Sequence, residues 1–506
     1  MGLLALSGIS KAFGEVVAAE SLDLSIAPGE IHAVLGENGA GKSTLMKMIY
    51  GVLQPDSGQM RWKGKPARIE TPAQARALGI GMVFQHFSLF ETLSVAENVA
   101  LSNGVSVSEA TRHLRAVGTE FGLEIEPDAL VHALSQGERQ RVEIARALMG
   151  NPDLIIMDEP TSVLPPTAIP GFFRTVRDLA ASGCAVLFIS HKLAEIRALC
   201  DRATVMRRGR VVATVDPREA SEKALATLMI GRDIPHPRRD VATLSATPVL
   251  RVTNLSMPDD NPLGIALKDV SLDVYGGEIV GIAGISGNGQ QLFASALSGE
   301  ALLHGAAAGE ILLNGRDVSR KNADSRRALG LAYVPEDRQA RGAVPELSLA
   351  ENALLTGHRR GLVACGMVRK KAARAFSEAC ISDMDVRCAG PEAEARSLSG
   401  GNLQKFIVGR ELSLKPALFV AAQPTWGVDV GAAQAILQRL VDLRGEGAGI
   451  LVLSDELEDL LDISDRIHVL FRGRLSPSIP RMEARDDLIG SYMSGTFVDD
   501  AAADVS

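Results

Sequence analysis

The apolar residues of this chain gather into short, continuous runs such as "IHAVLG", "LIIMD", "AVLFIS" and "ALFVAA". Runs of that length without alternation suit strands buried on both faces. Between them lie longer stretches of helical character, among them "TLMKMIYG" directly after the first run. The alternation predicts a parallel sheet flanked by helices. The earliest part of the chain is β-rich and predicts an antiparallel layer beside that sheet.

The pattern is written twice. "LSGISKAFGEVVAAESLDLSIAPGEIHAVLGENGAGKSTL" begins near Leu6, and "LRVTNLSMPDDNPLGIALKDVSLDVYGGEIVGIAGISGNGQQL" near Leu250. Lys42 aligns with Gln290 at an offset of 248, and the Asn98 of "SVAEN" with the Asn352 of "SLAEN" at 254. "LSQGE" from Leu134 aligns with "LSGGN" from Leu398 at 264, as do Asp158 with Ala422 and His191 with Asp455. The drift places the second half's extra residues before its "LSGGN". A period of half the chain means a duplicated domain, not a solenoid. The polar, proline-bearing stretch "GRDIPHPRRDVATLSATP" between the copies is expected to be a linker. The small, acidic end from about Gly495 is expected to be a flexible tail.

With 506 residues the chain is too long for one ordinary core. A net charge of −8 and a pI near 5.7 argue against general electrostatic binding of nucleic acid. Aromatic residues make up only 4%, which argues against base-stacking platforms. No apolar run approaches the roughly 18 residues of a membrane span, and the N-terminus lacks the layout of a secretory signal. Five scattered cysteines, without a close pair of metal-ligand spacing, predict a reducing compartment.

The chemistry concentrates in the first half. "GENGAGKST", Gly36 to Thr44, matches G-x-x-x-x-G-K-[ST] between a strand and a helix. Gly36, Gly39 and Gly41 let the backbone fold around phosphate oxygens, and the helix N-terminus faces the same anion. Lys42 is expected to reach the β- and γ-phosphates, and Ser43 to ligate Mg²⁺; Asn38 and Thr44 complete the ATP-binding loop. "LIIMDE" ends a buried strand with two acids: Asp158, placed to hold Mg²⁺, and Glu159, placed to polarise an attacking water.

Gln85 in "VFQHFSLF", His191 in "FISHKL" and "LSQGERQRVEIARAL" from Leu134 follow in order. Singly, a Gln or a His is an ordinary structural residue. Jointly, these motifs resemble ATP-binding-cassette ATPases, over nearly the whole chain. The resemblance implies two tandem α/β P-loop domains, each a mainly parallel core sheet with flanking helices, an antiparallel β layer and a helical subdomain. It divides the chain into domain 1 (1–235), linker (236–248), domain 2 (249–494) and tail (495–506). It makes Gln85 a residue that senses Mg²⁺ and the transport partner, His191 a γ-phosphate switch, Ser135-Gln136-Gly137 a signature loop and Phe13 an adenine-stacking aromatic. Val163-Leu164-Pro165-Pro166 departs from the family's usual Ala-Leu and then Asp or Thr after "DEPTS".

The second half keeps Gly284, Gly287 and Gly289 but has Gln290 for Lys and Gln291 for Ser. Ala422, Gln423 and Asp455 replace Asp158, Glu159 and His191, and Glu336 replaces Gln85. "LSGGNLQK" is intact. In this family two cassettes close head to tail, so the resemblance implies a hydrolytic site completed by Ser399, Gly400 and Gly401. The second site, pairing the altered loop with Ser135 and Gly137, would be degenerate. Trp426, where this type of cassette often has Arg, has no account at the level of sequence.

Three roles compete: energy-coupling subunit of a membrane importer, soluble tandem cassette acting on ribosomes, or DNA-repair or chromosome ATPase. One competent site, a short linker and negative charge favour the importer; the DNA types need zinc-binding cysteine pairs or long coiled coils. "AAQPT" resembles ATPases of ribose- and galactose-type importers, and "QHFSLF" with "GNGQ" resembles the nucleoside-uptake branch. The resemblance therefore implies ATP and Mg²⁺, two membrane permease subunits (a homo- or heterodimer), an extracytoplasmic binding protein, a place on the cytoplasmic face of the membrane, and pairing of the two halves either within one chain or between two chains. The segment from Phe87 to Val131, and its counterpart after Glu336, would dock the permeases.

Overall fold

The continuous apolar runs are strands covered on both faces. The computed structural model describes residues 2–498 except 15, 38, 85–87, 124, 135, 162–163, 165–167, 191, 232–236, 238–242, 260, 262–263 and 286. The chain divides into two compact units, Met1–Ile234 and Pro235–Ser506. Most of the expected linker, and residues 499–506 of the expected tail, lie outside the described residues. The chain stays packed past Gly495: Phe497 is buried, its ring edge-on to Tyr492 at 5.5 Å.

The first unit begins with strands β1 (Leu4–Phe13), β2 (Val16–Ile26) and β3 (Ile31–Leu35), then helix α1 (Lys42–Ile49). Next come β4 (Ser57–Trp62), β5 (Lys65–Ala67), α2 (Pro72–Ala77) and β6 (Ile80–Val83). A helical stretch follows, α3 (Val95–Asn103), α4 (Val107–Phe121) and α5 (Gln136–Ala147). The unit closes with β7 (Leu154–Asp158), α6 (Ile169–Ala181), β8 (Ala185–Ile189), α7 (Leu193–Leu199), β9 (Arg202–Arg207), β10 (Arg210–Val215) and α8 (Glu222–Ile230).

Strands β2-β1-β4-β5 form the expected antiparallel layer, and β10-β9-β3-β8-β7-β6 the core sheet. All core neighbours are parallel except β10 with β9. Alternate residues serve two cores. Ala33, Leu35, Ile155, Met157 and Phe188 face the helical side, while Val34, Ile156, Leu187 and Ile189 face the antiparallel layer. Fully burying one such side chain contributes about 1.5–3 kcal/mol, so both faces tie the sheet in place.

The second unit repeats this order. It runs β11 (Pro248–Met257), β12 (Leu267–Tyr275), β13 (Ile279–Ala283), α9 (Gln290–Ser298), β14 (Ala308–Leu313), β15 (Arg316–Asp317), α10 (Ala323–Ala328) and β16 (Leu331–Val334). Then come α11 (Leu349–Gly357), a hairpin β17 (Val363–Ala364) and β18 (Met367–Val368), α12 (Lys370–Asp383), α13 (Gly400–Leu412) and β19 (Leu418–Ala422). It ends with α14 (Val430–Gly445), β20 (Gly449–Ser454), α15 (Leu457–Ile463), β21 (Arg466–Phe471) and short closing elements. The core order is β16-β19-β20-β13-β21. The hairpin β17–β18 has no counterpart between α3 and α4, so the part of the extra residues that follows Asn352 is built there.

The repeated "SVAEN" and "SLAEN" prove to be one device used twice. Ser94 and Glu97, and Ser348 and Glu351, make capping boxes that start α3 and α11. The following Asn is buried and holds the preceding loop: Asn98 accepts from the Phe90 N–H at 2.7 Å and donates to the Phe90 and Ser94 carbonyls. Asn352 does the same with Val344 and Ser348. Arg146 and Arg410, at equivalent places in α5 and α13, each donate to the loop carbonyl at 2.9 Å, Ser88 and Gly342 respectively.

A second paired device ties the turn after β7 and β19 to the helix after the next strand. The Thr161 hydroxyl donates to Glu195 at 2.6 Å, and Thr425 donates to Asp459. Burial pushes the Asp459 carboxyl up to about 7, against the Thr425 hydrogen bond and with help from Glu456, Asp462 and Glu458.

Two outcomes follow. Asn98→Ala leaves the Phe90 backbone groups without their buried partner and should cost about 1–3 kcal/mol, read as a lowered unfolding midpoint; an unchanged midpoint would count against the clamp. Asp459 binds a proton in the folded chain that an unfolded Asp releases near pH 4, so its contribution is lost as pH rises from about 4 to 7. Asp459→Asn should therefore gain on the parent at pH 8 by an order of a few kcal/mol, with the gain shrinking toward pH 5. A gap independent of pH would rule out the protonated carboxyl.

Candidate functional site

A strand entering a helix through only Gly36–Gly41 leaves little room for side chains. Gly41 caps α1 with φ 102°, and a Cβ there would sit 2.2 Å from the Ala18 carbonyl oxygen of β2. Only glycine fits, and the helix N-terminus is left facing the turn with no side-chain cap. Gly36 and Gly39 lie in the same turn, with Ser43 exposed and Thr44 half-buried at the start of α1.

Lys42 is 7% exposed. Its Nζ donates to the carbonyls of Gly36 at 2.6 Å and Glu37 at 3.2 Å. Burial lowers its pKa, opposed by Glu159, Asp158 and Glu37. The ends of β3 and β7 thus bring together the residues expected to bind phosphate and metal. Asp158 closes β7, half-buried, with its carboxyl pushed up to about 6 by burial and by Glu159, against Lys42 and Lys47. An opposed cation and two acids at the carboxyl end of a parallel sheet, beside an open helix N-terminus, suit a polyphosphate and its counter-ion. The hydroxyl of Ser43 and the carboxylate of Asp158 are the hard oxygen donors that Mg²⁺ takes.

Glu159 sits in the left-handed region at φ 46°, and its N–H donates to the Ile189 carbonyl at the end of β8 at 2.8 Å. That left-handed geometry is strained for a residue with a side chain. Phe13 ends β1 with 49% of its surface exposed, so it is not a core residue. Asn38, Gln85, Ser135 and His191 lie outside the described residues, as do Val163, Pro165 and Pro166; Gly137 and Leu164 are described, and a Cβ added at Gly137 would lie 3.6 Å from the Leu164 side chain.

The second unit keeps this backbone. Gly289 caps α9 with φ 105°, Gly287 has φ 93°, and Gly284 is buried where Gly36 is. Gln423 has φ 51°, and its N–H donates to the Leu453 carbonyl of β20 at 2.8 Å, the counterpart of the Glu159 bond. The side chains are put to other uses. Gln290 turns back into its own loop, its Nε2 donating to the Ile285 carbonyl at 2.8 Å and its Oε1 accepting from the Asn288 N–H at 2.9 Å. A loop amide of the kind that would face phosphate is thereby occupied. The Gln423 side chain accepts from the Asp455 N–H at 3.2 Å. Gln291 is exposed, Ala422 is buried, and burial raises the pKa of Glu336 with help from Asp337.

The signature segment of this unit is well built. Ser399 caps α13 without using its own side chain on the helix, and accepts from Asn402 at 2.9 Å. Gly400 and Gly401 begin the helix, where α13's first N–H groups can meet an anion. Gln404, buried, donates to the Pro424 carbonyl at 2.9 Å and joins α13 to the turn after β19. Neither Gln404 nor the Thr425–Asp459 tie was picked out from the sequence. The offset of 264 that pairs them with Gln140, Thr161 and Glu195 carried the signal.

Comparison with known proteins agrees with this geometry. Residues 19–162 and 267–426 each match the ABC transporter family. The nucleoside import ATP-binding protein NupA of Lactococcus lactis is 38% identical over 494 residues, 96% of this chain and 97% of that protein. The glucose import ATP-binding protein TsgD13 of Haloferax volcanii is 39% identical over 533 residues, and the guanosine import ATP-binding protein NupO of Bacillus subtilis 37% over 501. These cover 97% and 98% of this chain, and 96% and 98% of the relatives. Among solved structures, that of the archaeal ribosome recycling factor aABCE1 with stalk protein aP1 aligns with TM-score 0.62 over 96% of this chain and 92% of its own. At 19% identity that likeness concerns the fold alone. The chain belongs to the ABC transporter family and is one of its tandem-cassette ATPases.

Proposed function

We propose that this chain is the ATP-hydrolysing subunit of an importer that drives uptake of a simple sugar or nucleoside through separate membrane permeases. One observation carries the reading furthest: the two units share a backbone but divide the chemistry. The first holds Lys42, Asp158 and Glu159 at adjoining strand ends, while the Gln290 and Gln423 side chains of the second are tied to their own backbone. In this reading the first unit's phosphate loop, with Ser399, Gly400 and Gly401, makes the hydrolytic site. The second unit's loop, with Ser135 and Gly137, makes a degenerate one. In this reading the two domains span about 1–235 and 249–494.

Lys42 neutralises charge on the phosphates, and loop N–H groups and α1 hold them in place. Ser43, Asp158 and Gln85 would hold Mg²⁺, which supplies charge to the leaving phosphates when bound. Glu159 orients and polarises the attacking water, and His191 contacts the γ-phosphate. Phe13, exposed at the end of β1, stacks on adenine.

The helical segments dock the permeases. The offset of 254 that pairs Asn98 with Asn352 also pairs Phe90 with Val344 and Leu101 with Leu355, and all four apolar residues are exposed. Within the first unit a cavity of about 200 Å³ is lined among others by Met82, Phe84, Ser88, Ser102 and Asn103. No helix among the described residues is long and apolar enough to cross a membrane, which fits a peripheral subunit on the cytoplasmic face. The relatives' names span nucleosides, guanosine, glucose and ribose. The nucleoside branch is preferred because "QHFSLF" and "GNGQ" resemble it. A ribosomal role has only the distant likeness to aABCE1 on its side, which concerns fold.

Glu159→Gln should lower steady-state ATP turnover at least about a hundredfold, the lower end of a general-base contribution, while Gln423→Ala should keep most of it. Comparable losses in both would sink the division of labour. In cells lacking the gene, uptake of labelled nucleosides should fall and uptake of labelled pentoses and hexoses should not; the reverse pattern selects the sugar branch, and no change in either rejects the importer.

A further inference from the structure

The segment after Glu336 is longer than its counterpart in the first unit. The offset between halves is 251 at Gln85 and Glu336 and 254 at Asn98 and Asn352, so three extra residues stand between. They are accommodated in a wide helical turn, Arg338–Gly342, of the π type, a form common at functional positions. Asp337 fixes its start by accepting from the N–H groups of Gln339 at 3.0 Å and Ala340 at 2.9 Å. Arg410 holds its end through the Gly342 carbonyl.

Arg338 leaves this braced turn and does two things. Its Nη1 donates to the Gly400 carbonyl, within the signature segment, at 3.0 Å. Its guanidinium also lies over the Trp426 ring, 4.9 Å from the centroid. Trp426 follows Thr425 in the turn after β19 and is 47% exposed, so it is not there to fill a core. Gly427 makes the arrangement possible, since a Cβ at that position would come within 2.6 Å of Arg338 Nη2. The first unit has Ser162 and Val163 at these two places. Burial lowers the Arg338 pKa, opposed by Asp337, without threatening its charge.

We propose that Arg338 and Trp426 form a clamp that positions the second unit's signature segment, passing the position of the turn after Glu336 to Gly400. The proposal rests on the reading that Ser399, Gly400 and Gly401 complete the hydrolytic site. Arg338 joins the stretch expected to dock a permease to a glycine expected to meet ATP, and Trp426 holds its guanidinium plane in place. Both are positioning residues. The Trp, unexplained by sequence, is the platform for an Arg whose planar fork must point one way.

The test is steady-state hydrolysis of MgATP by the full-length chain. Trp426→Ala should lower kcat about fivefold, the order expected of a lost cation–π contact, with KM changed less than about twofold. Arg338→Gln should fall at least as far, and the double variant no further than the worse single one. Trp426→Phe, which keeps a ring face, should return to within about twofold of the parent. A parental kcat in Trp426→Ala or Arg338→Gln, a change confined to KM, or a Trp426→Phe as slow as Trp426→Ala would overturn the clamp. Gly401→Asp separates this from the underlying reading. A Cβ at Gly401 meets only ordinary contacts, so the chain should fold. If Gly401→Asp turns over normally, the composite-site reading fails; if it is inactive while the clamp variants are normal, only the clamp fails.

Discussion

A folded chain that binds polyphosphate through its backbone must end a buried strand, reverse in left-handed geometry and start a helix within a few residues. That constraint governs this molecule. It requires glycine where Gly41 passes the Ala18 carbonyl and again at Gly289. It requires β3 and β13 to lie inside their sheets, because both neighbours are needed to hold the turn rigid. The antiparallel layer then has its place too, since β2 is the wall against which the first loop packs. The left-handed turns at Glu159 and Gln423 are the same solution one strand away, each anchored by one backbone bond of 2.8 Å.

Because the backbone carries so much of this architecture, a duplicated copy can change its side chains without losing its shape. The second unit is a direct instance. Replacing Lys with Gln290 removes a cation, yet the new amide both donates and accepts within the loop. Replacing Glu with Gln423 removes a base, yet its carbonyl oxygen takes the Asp455 N–H. Each change turns a group that would serve a ligand into one that serves the fold. Unmatched polar groups at a half-buried strand end would cost free energy, so internal bonds of this sort are what a unit relieved of catalysis would be expected to acquire.

Much of this was legible in the chain. Strand runs, the phosphate loop and the paired offsets depend on local composition and spacing, which sequence states directly. "SVAEN" and "SLAEN" served as alignment marks, and their physical meaning, a capping box followed by a buried Asn, could have been read from Ser-x-x-Glu. The side-chain turns of Gln290 and Gln423 could not, because they depend on rotamers chosen after the loop has formed. Arg338 and Trp426 are far apart in sequence, and nothing local to either names the other. The offsets placed the second unit's extra residues somewhere before "LSGGN"; that some form the hairpin β17–β18 and three the turn after Glu336 required the fold.

The losses and the retained parts of the second unit obey one rule. Groups that would touch water, metal or the γ-phosphate in its own cassette have been changed, whereas groups that shape α13 have been kept and braced. Gln404 ties α13 to the turn after β19, Asn402 orders Ser399, and Arg338 reaches Gly400 across Trp426. A unit drifting toward disuse would not be expected to carry three supports on this segment, of which only Gln404 has the same residue, Gln140, at the matching place in the first unit. The Trp is informative for the same reason: with 47% of its surface exposed it is not a core residue, and its ring lies against Arg338. "ALFVAAQPTWG" is therefore better understood as the base on which the signature segment stands than as a failed copy of the catalytic strand.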